Sequence, residues 1–161
     1  PANTPCSQLK ALGFDGIVLS NGPGDPCENP VLIENLKEIA RLGLPIFGVG
    51  LGHQMMALAQ GAATEKLAHG HRGANQPVTD LAAGRTHITY QNHGYTVVAG
   101  SLPEHAGTVS HVNANDATVE GIRYSAFNGI TVQYLPEGNC GPRDTDDLFD
   151  EFVALCAKKE A

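Results

Sequence analysis

Two short apolar runs and one helical stripe organise the first half of the chain. The runs cover residues 16–20 and 44–49, and turn-forming residues bound each of them, which is typical of buried strands. Between them, Asn29 at the capping position and Pro30 at the first helical position predict a helix that ends at Gly43. Its apolar face has three- and four-residue spacing and consists of Leu32, Ile33, Leu36, Ile39 and Ala40.

The order of these elements predicts a parallel sheet covered by helices. A short helix over residues 5–12, capped by Thr4, precedes the first strand, and another over residues 53–60 follows the second. Helix and strand therefore alternate through the first sixty residues, as they do in α/β domains.

The hydrophobic pattern changes between residues 64 and 133. Short alternating runs separated by glycine, asparagine and proline predict mostly antiparallel strands there. A final helix is predicted over residues 144–158, with an apolar face of Leu148, Phe149, Phe152, Val153 and Cys156. Because no linker or repeat interrupts the chain, we expect a single domain over residues 1–161.

Composition and charge narrow the classes of function. The chain is 42% hydrophobic and 17% charged, with a formal net charge of -7 and no basic run, so nucleic acid and anionic membranes are not expected partners. It has no signal-peptide pattern and no apolar stretch near the roughly 20 residues of a membrane span. The 4 cysteines form neither a zinc pattern nor a disulfide framework, which favours a reducing, cytoplasmic setting.

Residues 47–54, Phe-Gly-Val-Gly-Leu-Gly-His-Gln, contain the candidate chemistry. A buried strand turns there directly into a helix, with Gly50 at the tip. This is the geometry of a nucleophile elbow, in which small neighbours relieve crowding and the helix N-terminus stabilises a developing anion. The alternative is a tight strand-to-helix turn with packing glycines.

Five segments together resemble one family. Residues 47–54 are similar to the G-x-C-x-G-H-Q motif of class I glutamine amidotransferases, and residues 21–26, Asn-Gly-Pro-Gly-Asp-Pro, resemble the oxyanion loop of that family. Residues 71–78 and 91–95 resemble segments of its carbamoyl-phosphate synthetase small-subunit branch. Leu135-Pro-Glu137, followed by Gly141-Pro142, resembles the H-P-E region of that branch. Five matches in order are far more specific than one glycine-rich turn.

The resemblance implies a fold, a reaction and partners. The fold would be a doubly wound, mainly parallel sheet with flanking helices and additional short antiparallel strands, lacking the first strand-helix-strand unit and so exposing an apolar sheet edge. A cysteine would attack the glutamine carboxamide, a histidine would transfer the proton and a glutamate would orient the histidine. The ammonia would pass to a large synthetase subunit. No cofactor is expected in this domain, because ATP and magnesium belong to that partner.

Each role falls on a particular residue of this chain. The resemblance places the nucleophile at Gly50, the histidine at Leu135 and the orienting carboxylate at Glu137, with backbone oxyanion donors at Gly24 and Leu51. The glutamine pocket would be lined by Gly22, Gly24, Leu51, Gln54, Asn92, Gly94 and Tyr95.

Two of the three catalytic side chains are absent from this sequence. Gly50 has no side chain that can attack glutamine, and Leu135 cannot transfer a proton, so we predict no cysteine-type glutaminase activity. Cys140, three residues after Glu137, is a weak candidate for a substitute nucleophile. Two further interpretations stay open: a non-catalytic partner that docks on an ammonia-dependent synthetase subunit, and a glutamine sensor.

Three remaining features have simpler interpretations. His53 is expected to pack or cap and not to act as a base, and residues 22–24 lack the lysine of a phosphate-binding loop. His69 and His71 have no further ligands spaced nearby, so no metal site is predicted.

Overall fold

A computed structural model describes residues 4–137 and 144–157. Four α-helices span Cys6–Lys10 (α1), Pro30–Ala40 (α2), Leu51–Ala59 (α3) and Asp147–Ala157 (α4), and a 3-10 turn covers Pro26–Glu28. The seven strands are Ile17–Leu19 (β1), Ile46–Val49 (β2), Thr64–Asp80 (β3), Arg85–Val97 (β4), Gly107–Asn113 (β5), Val119–Tyr124 (β6) and Gly129–Val132 (β7).

The strands form a mixed sheet in the order β1-β2-β7-β6-β5-β3-β4. Strands β1, β2 and β7 pair in parallel, whereas β7, β6, β5, β3 and β4 pair in antiparallel fashion. The predicted α/β class, with flanking helices and additional antiparallel strands, is confirmed.

Helices cover both faces of the parallel part because alternate residues of its strands point to opposite sides. Ile46 lies in a buried cluster with α2 and α3, whereas its neighbour Phe47 lies in a second cluster with α4. The Phe47 ring contacts Phe149 and Phe152 of α4, with ring centroids 5.3 and 5.8 Å apart. This arrangement is the expected doubly wound packing.

The ends of several helices differ from the predictions. Helix α1 begins at Cys6, not under a Thr4 cap, because the side chain of Asn35 in α2 accepts the Cys6 N–H at 3.0 Å. Helix α3 begins at Leu51, two residues before the predicted start, since only Gly50 separates it from β2. In α4, Val153 is 63% exposed and therefore lies outside the predicted apolar face.

Strand β1 forms one edge of the sheet in the described part of the chain. Val18 in this strand is 57% exposed, so an apolar edge faces outward, as expected from the sequence. None of the helices within residues 4–137 and 144–157 is long and apolar enough to cross a membrane.

Candidate active site

A cavity of about 520 Å³ opens where β1 and β2 end and the β3–β4 hairpin folds over them. Ligands of α/β sheets bind at the carboxyl ends of the parallel strands, and the volume is ample for an amino acid. The lining consists of Asn21, Gly22, Pro23, Gly24, Leu51, Gln54, Arg72, Asn92, His93, Gly94, Tyr95 and Gln133.

All seven residues predicted to bind glutamine lie in this lining. The structure therefore brings together the loop after β1, the start of α3 and the middle of β4. Five other lining residues were not predicted: Asn21, Pro23, Arg72, His93 and Gln133. Four of them lie inside the segments at 21–26, 71–78 and 91–95 that carried the resemblance, but Gln133 lies outside every such segment.

Gly50 occupies the tip of the predicted elbow. Its φ of 56° and ψ of -112° are unfavourable for a residue with a Cβ but accessible to glycine. The Gly50 N–H donates to the Val132 carbonyl at 2.9 Å, and the Gly50 carbonyl accepts from Gln54 N at 3.2 Å. The tip is thus tied to β7 on one side and to the first turn of α3 on the other, which is the strand-elbow-helix geometry that the sequence predicted.

The side chain of Asn21 fills the space above Gly50. A Cβ built on Gly50 would overlap Asn21 Oδ1 and lie 2.6 Å from Asn21 Cγ. The same Oδ1 accepts the Leu51 N–H at 3.0 Å. Leu51 is one of the two predicted oxyanion donors, so an internal carboxamide oxygen occupies the position in which a substrate oxygen would be held.

Gln54 holds the far wall of the cavity together. Its Nε2 donates to the Tyr95 carbonyl and to Gln133 Oε1, both at 2.7 Å, and the side chain is buried. Because both amide hydrogens are used, a ligand can be recognised only by the Gln54 side-chain oxygen. Gln54 therefore positions the Tyr95 backbone.

Leu135 and Glu137 lie outside the cavity lining. Leu135 is half-buried and packs against the apolar cluster that contains Phe47 and α4, and its N–H donates to the Tyr90 carbonyl at 2.9 Å. Glu137 is exposed to solvent. An aliphatic side chain is stabilised by joining that cluster, so nothing at position 135 links Glu137 to the elbow. Cys140 lies outside the described residues.

The two buried histidines near the cavity are held neutral by burial. Burial lowers the pKa of His53 to about 3 and that of His93 to about 4. His53 is fully buried, with Nδ1 2.8 Å from Thr131 Oγ1, so its predicted packing role is confirmed. His93 lies in the cavity lining, with Nδ1 2.8 Å from the Tyr95 carbonyl.

A third histidine behaves in the opposite way. A hydrogen bond to Glu120 raises the pKa of His71 to about 9, and Asp116, 2.9 Å from His71 Nε2, acts in the same direction. Burial raises the pKa of Glu120 itself. These partners of His71 were not predicted from the sequence, since Glu120 is brought to it by a different strand, β6.

The fold, the elbow and the cavity together define a glutaminase-type α/β domain, and the chain belongs to the class I glutamine amidotransferase family, whose model matches residues 1–155. It is 50% identical over 155 residues to a carbamoyl phosphate synthase small chain of Bacillus cereus, and 52% identical over 156 residues to that of Oceanobacillus iheyensis. It is 46% identical over 161 residues to a pyrimidine-specific small chain of Lactiplantibacillus plantarum.

These matches cover 96% to 100% of this chain but only 42% to 44% of the relatives, so the chain spans less than half their length. Two solved structures share the fold. They are a putative GMP synthase protein from Thermoplasma acidophilum (TM-score 0.84, 24% identity, 99% of this chain and 80% of that one) and a glutamine amidotransferase from Thermotoga maritima (TM-score 0.67, 20% identity, 98% and 68%).

Proposed function

We propose that this chain is the glutamine-binding domain of a carbamoyl phosphate synthase small chain and that it does not hydrolyse glutamine by the cysteine route. The names of the relatives at 46% to 52% identity support the first part. The proposal includes a cytoplasmic location and a partner, the large synthetase subunit, which would bind ATP and magnesium.

The single observation that carries the loss of hydrolysis is the elbow. Its backbone keeps the geometry of a nucleophile site, yet Gly50 offers no attacking atom and Asn21 Oδ1 holds the Leu51 N–H. Without a nucleophile no thioester forms, and removing one triad member already costs orders of magnitude in rate.

Binding of glutamine needs none of the missing side chains. The cavity presents the backbone of two glycine-containing segments together with Asn92 and Arg72, which are polar groups suited to a zwitterionic amino acid. The pocket therefore retains recognition while the chemistry is absent, which makes a glutamine sensor the form of the proposal that the geometry favours.

Calorimetry with L-glutamine, run beside an ammonia-release assay, tests both parts. We expect saturable heat without ammonia release, and we expect Asn92→Ala to weaken binding by about tenfold or more because it removes a lining hydrogen-bond group. His69→Ala, an exposed residue of the same hairpin, should leave binding unchanged. Ammonia release above the no-protein background would contradict the inactive site, and absence of heat at millimolar glutamine would contradict binding.

Docking on an ammonia-fed synthetase subunit is the second candidate function. The simultaneous loss of the nucleophile at Gly50 and of the proton carrier at Leu135, with the fold retained, favours it. Size-exclusion chromatography of this chain with a carbamoyl phosphate synthase large subunit is the test. Separate elution of the two proteins would exclude docking without affecting the glutamine result.

A further inference from the structure

Three ligand-type side chains from three different strands meet beside the cavity. His71 in β3 and His93 in β4 are directly opposite in the antiparallel register, and their ring centroids are 4.9 Å apart. Glu120 joins them from β6. One ligand atom from each of the three residues lies within 4.8 Å of the other two. The sheet therefore assembles a compact cluster of two imidazoles and one carboxylate.

Both imidazoles are oriented by an oxygen acceptor on the side away from their shared centre. Asp116 Oδ2 lies 2.9 Å from His71 Nε2, and the Tyr95 carbonyl lies 2.8 Å from His93 Nδ1. This is how metal-binding histidines are held, because an acceptor on one ring nitrogen fixes the tautomer and turns the other nitrogen towards the metal. The ligand atoms would be His71 Nδ1 and His93 Nε2, and a metal would replace the 3.0 Å contact of His93 Nε2 with Gln91 Oε1.

Two buried polar atoms in the cluster lack a hydrogen-bond partner within the described part of the chain. They are His71 Nδ1 and Glu120 Oε2, and Glu120 is fully buried. The nearest approach, His71 Nδ1 to Glu120 Oε1, is 3.4 Å, with no hydrogen bond satisfying His71 Nδ1. A fully buried carboxylate is costly unless it is paired and hydrogen-bonded or coordinates a metal. A cation between these atoms would satisfy all of them.

We propose that His71, His93 and Glu120 bind a first-row divalent metal ion, with zinc as the best match. Two imidazole nitrogens and one carboxylate form a ligand set that zinc accepts, with water in the fourth position. Magnesium and calcium prefer all-oxygen sites, so the two nitrogens disfavour them.

The position of the site indicates what the ion would do. His93 also lines the glutamine cavity, and Arg72, next to His71, lines it too. An ion bound between β3, β4 and β6 would therefore fix one wall of the cavity. The inference is independent of whether glutamine binds, because it rests on the cluster and not on the elbow.

The test is metal uptake by the chain after treatment with a chelator and removal of the chelator. Titration with ZnCl2 in a calorimeter is expected to show one site per chain, and Co²⁺ is expected to give the intense visible absorption of a tetrahedral centre. His93→Ala and Glu120→Gln should each weaken zinc binding by at least about tenfold, and Asp116→Asn, which removes an orienting acceptor, by about tenfold. His69→Ala, two residues from His71 and exposed, is the matched control.

A thermal melt with and without zinc adds a readout that does not depend on activity. Zinc should raise the melting temperature of the unsubstituted chain but not that of Glu120→Gln. If Glu120→Gln does not fold, Asp116→Asn and the cobalt spectrum of the unsubstituted chain decide. Absence of zinc uptake by the folded chain, or uptake that depends on His69 and not on His93, would overturn the proposal and leave a buried ion pair between His71 and Glu120.

Discussion

Adding a side chain at Gly50 is the most direct test of how the elbow is occupied. A Cβ at φ 56° and ψ -112° costs on the order of 1–3 kcal/mol in backbone strain. It also overlaps the Asn21 carboxamide, so Asn21 must turn away and give up its bond to Leu51 N–H, which costs about 1 kcal/mol more. We therefore expect Gly50→Ala to lower the free energy of unfolding by about 2–4 kcal/mol.

Urea denaturation separates these two costs. Gly84 has φ 64° with nothing within 4 Å of an added Cβ, so Gly84→Ala measures a positive-φ penalty without overlap. Asn21→Ala combined with Gly50→Ala should be less destabilised than the sum of the single variants, by about 1 kcal/mol. Strict additivity, together with equal losses for Gly50→Ala and Gly84→Ala, would refute the placement of Asn21 above the elbow.

Three further predictions concern the cavity and the packing of α4. Asn21→Ala frees the Leu51 N–H for a ligand, so calorimetry should show glutamine binding several-fold tighter, about 1 kcal/mol; unchanged affinity would contradict the competition. Arg123 lowers the pKa of Glu151, with an N–O distance of 2.8 Å, so this stabilisation is present above about pH 4.5 and is lost as the pH falls through the folded pKa of Glu151; acid titration of Glu151→Gln should show a flatter decline. Phe47→Ala should cost about 3–5 kcal/mol in urea denaturation, since it empties the fully buried position between β2 and α4; a loss below about 1 kcal/mol would contradict that packing.

The sequence predicted best where neighbouring residues decide the structure. The β2 run, the glycines around position 50 and the helix that follows are local, so the elbow was visible without tertiary contacts. The seven pocket residues also lie on one cavity, since they sit in short motifs whose resemblance carried their relative placement. Their role in binding glutamine remains a prediction, as does the loss of hydrolysis.

Sequence reasoning failed where a distant residue changes a local preference. Thr4 has the chemistry of a cap, yet Asn35 from another helix takes that role for α1. Val153 has the spacing of a buried residue, yet it is 63% exposed because α4 turns Leu148, Phe149 and Phe152 towards the sheet.

By itself, the sequence determined the α/β class, the elbow and the absence of a nucleophile at position 50, because hydrophobic periodicity and residue identity are local properties. Only the tertiary structure decided that Asn21 lies over Gly50, that Leu135 joins an apolar cluster and that Glu120 meets His71 and His93. Those contacts depend on strand register and side-chain direction, through which residues far apart in the chain come within bonding distance.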